Sequence, residues 1–182
     1  MIKRAHLFCL LLLICASSPL FADYTYSYIG NNFTDVYGTE GYTTSDSLRG
    51  WISTPVQLTA GNSYEFFSLP SFSFSDGHQT IDQSNATSEF FNFYVDYSGQ
   101  ITDWSVSLSS SAGLMGSCNS GTGGTCIPAP ADFTYMFGSG SGAEVADNPG
   151  RWVTGQAPEP STLLLLGIGG LGLAAKFSIR RK

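Results

Sequence analysis

Basic side chains are nearly missing from the middle of this chain. Between Asp23 and Ala157 there are 13 acids but only two bases, Arg49 and Arg151, and no lysine. The formal charge of −6 for the whole chain hides this, because the other six bases lie near its two ends. So acidic a surface argues against nucleic acid and an anionic membrane as partners of the middle region. Histidine is almost as scarce, with only His6 and His78. A Ser-His-Asp triad in the middle region would have to use His78, which sits beside Asp76 and Gly77 in a turn-like sequence. Such a histidine is more often solvated than catalytic. The spacing of Asp76, His78 and Asp82 matches no standard ligand motif, so no metal or cofactor is expected.

Helical periodicity is missing too: no window from 23 to 157 carries an apolar stripe at 3.6-residue spacing. Aromatic and β-branched residues alternating with small polar ones are abundant instead. Tyr24-Thr25-Tyr26-Ser27-Tyr28, Tyr64-Glu65-Phe66, Phe72-Ser73-Phe74, Phe91-Asn92-Phe93-Tyr94-Val95, Trp104-Ser105-Val106-Ser107-Leu108 and Phe133-Thr134-Tyr135-Met136-Phe137 all show it. Period two with these residue types marks half-buried strands. Turn signals stand at Gly30-Asn31-Asn32, Ala60-Gly61-Asn62, Ser75-Asp76-Gly77 and Ser98-Gly99-Gln100. The last predicts a hairpin pairing Glu89–Tyr97 with Ile101–Leu108. The expected fold is all-β: an antiparallel sandwich, jelly-roll-like, over residues 23–137 with its aromatics in the core. Residues 138–156 are poor in such patterns and read as a flexible linker.

Four cysteines occur, and Cys118 and Cys126 are the two in the middle region. Cys118 lies within a Ser/Gly-rich stretch, Ser109 to Gly124, and Cys126 just beyond it, eight positions apart across what reads as a flexible loop. In an oxidising compartment a disulfide is expected between them, contributing on the order of 2–3 kcal/mol if unstrained. A metal pair is the alternative, with no histidine nearby in sequence.

The ends differ from the middle. Met1-Ile2-Lys3-Arg4, an apolar run from Leu7 to Ala16 and a small-residue site at Ala22 form a secretory signal peptide over residues 1–22, cleaved between Ala22 and Asp23. Cys15 follows Ile14, where a lipoprotein signal wants a small residue, so lipidation is not expected. At the other end Pro158-Glu159-Pro160 precedes an uncharged stretch, Thr162 to Ala175, and then Arg180, Arg181 and Lys182. As a helix the uncharged stretch measures about 21 Å, against a hydrocarbon core of about 30 Å. With Lys176 snorkelling, Ser161 to Ile179 would reach about 28 Å, a marginal transmembrane helix. The basic cluster would hold its end in the cytoplasm. The two prolines keep Glu159 out of the helix and extended at the membrane surface. Gly167 to Gly172 fits G-x-G-x-x-G, but no βαβ unit surrounds it.

Ala157 to Lys182 resembles the PEP-CTERM sorting signal, a segment also known as an ice-binding-protein C-terminal domain. The motif, the apolar helix and the basic cluster occur in order. The resemblance implies an exported protein, delivered by the Sec export machinery and held in the inner membrane at least transiently by the C-terminal helix. It implies an exosortase, a membrane-embedded cysteine transpeptidase, as the partner that processes residues 157–182. It also implies a destination in the cell envelope, at the cell surface or in the extracellular matrix of bacteria that make exopolysaccharide. Ice binding would want a flat, regular threonine array, and the threonines here are scattered.

No spacing in the middle region selects a catalytic pair. The expectation is therefore a non-enzymatic envelope or matrix protein without catalytic residues. A carbohydrate-binding module for exopolysaccharide is the alternative, with Trp51, Trp104 and Trp152 as candidate stacking residues. A glycan-active enzyme using two of the acids is a third reading.

Overall fold

Alternation of aromatic and small residues puts every second side chain on one face of an extended chain, and such a face is stable only when another sheet covers it. The computed structural model describes residues 23–39, 41–69, 71–119 and 130–154. Among them twelve strands run in chain order: β1 (Tyr24–Asn32), β2 (Asp35–Tyr37), β3 (Ser47–Thr54), β4 (Asn62–Phe66), β5 (Ser71–Ser75), β6 (Thr80–Asp82), β7 (Ala86–Val95), β8 (Ile101–Ser110), β9 (Gly113–Asn119), β10 (Ala131–Met136), β11 (Ser141–Ala146) and β12 (Arg151–Thr154). They form a five-stranded sheet, β12-β1-β3-β5-β6, and a seven-stranded sheet, β2-β11-β10-β9-β8-β7-β4. Every pairing is antiparallel. The fold is all-β, as expected, and the two sheets share one core.

The expected hairpin is present, with Glu89 opposite Leu108 and Tyr94 opposite Asp103. The core is aromatic. Phe72 meets Phe91 across the sheets at 5.2 Å between ring centroids, and Phe93 meets Trp152 at 5.0 Å, edge to face. Both geometries suit ring quadrupoles, adding about 0.5–1.5 kcal/mol to the burial itself. Gly50 is required here: a Cβ on it would lie 2.3 Å from the Phe74 ring that covers it.

Three expectations are corrected. Gly30-Asn31-Asn32 is no turn; it lies within β1, where the pairing with β3 is irregular between Ile29 and Asn32. Glycine is needed at 30 for closeness, since a Cβ would stand 2.4 Å from the Leu48 carbonyl oxygen and 2.7 Å from Asp132 Oδ2. Second, residues 138–156 are not a linker up to Thr154, because β11 and β12 fall inside them. Ser141, Ala143 and Val145 are small enough to fill the narrow space beside β10, and Trp152 packs on Tyr28, Phe74 and Phe93. The β domain therefore runs past residue 137. Third, the Ser/Gly-rich stretch after Ser109 contains β9.

Candidate functional site

β10 carries the least expected feature of the interior. Its aromatics, Phe133 and Tyr135, lie on the outer side of the sheet, while Asp132 and Thr134 point inward, both wholly buried. A buried carboxylate is costly unless donors meet it. Asp132 Oδ1 accepts a 2.5 Å bond from the Tyr28 hydroxyl, and Oδ2 a 3.3 Å bond from the Gly150 N–H. The Tyr28 oxygen accepts in turn from Ser117 Oγ (2.7 Å) and from the Gly150 N–H (2.6 Å). Trp104 Nε1 donates to Ser117 Oγ at 2.7 Å. Burial pushes the Asp132 carboxyl up to about 6, against the opposing pull of the Tyr28 hydrogen bond. Burial also raises Tyr28, and the Asp132 charge adds to that. Four segments of the chain meet at one tyrosine oxygen, and Trp104 joins them through Ser117.

A second buried acid serves the other end of β10. Asp76 immediately follows β5 and is 1% exposed. Its Oδ1 accepts from the backbone N–H groups of His78 and Gln79, each at 2.8 Å, closing the turn in which Gly77 has φ of 95°. Its Oδ2 accepts from the Tyr42 hydroxyl at 2.7 Å and from the Thr134 hydroxyl. Gln79 Nε2 donates to Thr134 Oγ1 at 2.9 Å. Four donors on one carboxylate leave it no lone pair for a metal or a substrate proton.

His78 sits against this network. Its Nε2 is 3.2 Å from Asp46 Oδ2, and its ring stands edge to face on Tyr42 with centroids 4.7 Å apart. The expectation of a freely solvated turn histidine gives way to a surface histidine paired with Asp46 and packed on Tyr42. The backbone N–H of Thr43 holds the Asp46 carboxyl below its ordinary range, and the hydrogen bond from His78 adds to this. Asp82 is engaged in its own turn, accepting from Ser84 N and Oγ. Asp76, His78 and Asp82 therefore do not converge, and among the described residues no three metal-ligating side chains gather.

Of the candidate stacking residues, Trp104 and Trp152 are core, whereas Trp51 is 38% exposed on β3. Sequence reasoning missed a second exposed aromatic group: Tyr37 and Tyr135 stack with centroids 6.4 Å apart, and Phe137 meets Tyr135 edge to face. Cys118 is buried near the end of β9, and its thiol is not free. Cys126, Ala22, Pro158, Glu159, Pro160, the stretch Thr162 to Ala175, and Arg180, Arg181 and Lys182 lie outside the described residues; Asp23 is the first described residue and is exposed. Among the described residues no helix is long and apolar enough to cross a membrane.

No curated protein and no solved structure matches the chain. The PEP-CTERM protein-sorting motif matches residues 156–182. That range takes in Pro158-Glu159-Pro160, the apolar stretch and the basic cluster. The chain thus carries a PEP-CTERM protein-sorting motif after its β domain, and that motif implies export and an exosortase as processing partner.

Proposed function

We propose that the chain is a non-catalytic cell-envelope or extracellular-matrix protein, delivered by export and released from a transient membrane anchor by an exosortase. The match over residues 156–182 carries this reading. The β domain supports it by the state of its buried acids. Asp132 and Asp76 are the chemically unusual carboxylates, and both are spent on cross-sheet hydrogen bonds in the interior. The test is the mass and location of the protein in cells with and without the sorting enzyme. Loss of residues near 158–182 and appearance outside the inner membrane, only when the enzyme is present, is expected. A full-length, membrane-held protein in both strains would sink the proposal.

The Cys118–Cys126 bridge belongs to the same proposal. It is supported by the burial of Cys118 near the end of β9, where the residue already has a partner. An intact mass unchanged by alkylation without reductant is expected, and two alkylated thiols would refute the bridge.

A second reading gives the delivered domain a carbohydrate ligand. Trp51 favours it, because an exposed indole flanked on neighbouring strands by Ser27 and Ser73 offers an apolar face with hydroxyls at its edges. Retention of the protein on a glycan column, weakened by Trp51→Ala, is the expected result; passage through a broad glycan panel without delay counts against it.

A further inference from the structure

The scarcity of bases in the β domain becomes a question of placement once the strands are paired. Arg49 lies on β3 and Arg151 on β12, and both stand opposite Ile29 on β1 from either side. Ile29, Arg49 and Arg151 are all exposed. The only two cations of the domain therefore share one row on the outer face of the five-stranded sheet, two strand spacings apart, or about 10 Å between their Cα atoms. The next row holds Val153, Ser27, Trp51, Ser73 and Asp82 in order across the sheet. Asp82 is the acid of this face, and it is already engaged by Ser84.

Neither arginine has a carboxylate partner among the described residues, where the ion pair present is His78–Asp46. Arg49 instead lies along the sheet, its Nε donating to Ser47 Oγ at 3.3 Å. The outer face of the larger sheet is the opposite in charge. Asp35, Glu65, Asp103 and Glu144 are on it, with no base. Guarding a sheet edge against aggregation accounts for a charge on β12, which is an edge strand. It does not account for Arg49, since β3 lies between β1 and β5.

We infer that this face binds an acidic polysaccharide, a chain of carboxylate-bearing sugars, with Arg49 and Arg151 on the carboxylates and the Trp51 indole under a sugar ring. Guanidinium groups match carboxylates bidentately. The serine hydroxyls beside Trp51 meet sugar hydroxyls at the ring's edge. A second copy of this chain fits less well. It would bring a whole domain of 13 acids and two bases within a Debye length of about 8 Å of another like it. A flexible polysaccharide presents a few carboxylates to this row and leaves the rest in solvent.

The inference rests on the carbohydrate reading and is independent of sorting. The full chain in detergent is run over immobilised polygalacturonate and over a neutral glucan, at low salt and at about 1 M, where screening shortens to about 3 Å. Retention on polygalacturonate at low salt, lost at high salt, is expected. The double variant Arg49→Gln, Arg151→Gln should bind at least about tenfold more weakly, while Arg49→Lys, Arg151→Lys keeps part of the affinity. An unchanged unfolding midpoint shows that the variants fold. Equal binding by parent and double glutamine variant overturns the inference. Retention on the neutral glucan alone overturns it while leaving the carbohydrate reading intact. No retention on either matrix removes both. Self-association that the double variant abolishes, without glycan binding, assigns the face to a second copy and overturns it as well.

Discussion

The two halves of the sandwich interior are built on different chemistry. Around β5, β7 and β12 the sheets meet through rings: Phe72, Phe74, Phe91, Phe93 and Trp152, all buried. Around β10 they meet through Asp132, Thr134, Asp76, Tyr28 and Tyr42, equally buried but hydrogen-bonded. The apolar half gains stability from area and is tolerant of small shifts in position. The polar half is directional, so it specifies which strand faces which, and each unmet group there costs about 1–3 kcal/mol. A protein sent out of the cell gains a defined register from that half and bulk stability from the other.

The largest effect should come from breaking the apolar half. Phe93→Ala removes a ring packed on Trp152, Phe91 and Phe66. A loss of about 3–5 kcal/mol is expected, read by denaturant unfolding, and a loss below about 1 kcal/mol would show that the cluster is not the main core.

Asp76→Ala tests the polar half with less loss of volume. It strands the Tyr42 and Thr134 hydroxyls and two backbone N–H groups, so about 2–4 kcal/mol should go. Asp76→Asn keeps the acceptor oxygen and should cost less than the alanine variant by the same measurement.

Asp132 sharpens the comparison through pH. Its folded carboxyl is raised to about 6 from 3.8, so the unfolded chain gives up this proton first as pH rises. The contribution of Asp132 is fully present below about pH 4 and declines as pH rises through about 6. The shift corresponds to about 3 kcal/mol at most. Unfolding at pH 4.5 and at pH 7 in parent and Asp132→Asn should show this slope in the parent and a flatter one in the variant.

Asp46 has the opposite sign and the smallest size. Its carboxyl is lowered in the folded state, so its contribution is present above the ordinary aspartate range and is lost as pH falls through the lower folded value. Because the pair with His78 is at the surface, Asp46→Asn should cost less than about 1 kcal/mol, and less again in high salt. A cost of 2 kcal/mol or more, of the order expected for a buried group, would mean that the Asp46 side belongs to the polar half.

Six of the twelve strands were legible because their alternation was strong. Tyr24 to Tyr28, Phe72 to Phe74 and Trp104 to Leu108 gave both their strand and their inward face, and Ser98-Gly99-Gln100 gave a hairpin. β10 was legible as a strand but was expected to turn its aromatics inward. Period two gives two faces without saying which is covered, and aromatic size favoured the wrong one. Phe133 lies instead over Gly116, where a Cβ would stand 2.6 Å from its ring. β2, β3, β6, β9, β11 and β12 were missed: β2, β6 and β12 are only three or four residues long, the alternation of β3 is interrupted at Gly50, and β9 and β11 are rich in small residues that carry little signal of their own. The polar networks were hidden for a different reason: Tyr28 and Asp132 are 104 positions apart. Nothing local marks either as a partner of the other, and an acid within a strand reads as solvent-facing.

By itself the sequence determined the fold class and the sorting motif. Strand alternation and Pro158-Glu159-Pro160 with its following residues are local patterns, and local patterns survive without coordinates. Tertiary structure decided which acids are buried, that Trp51 alone among the tryptophans is exposed, and that Arg49 and Arg151 come together. These depend on strand pairing across a hundred residues, and pairing is settled by the fit of whole faces rather than by any short run of the chain.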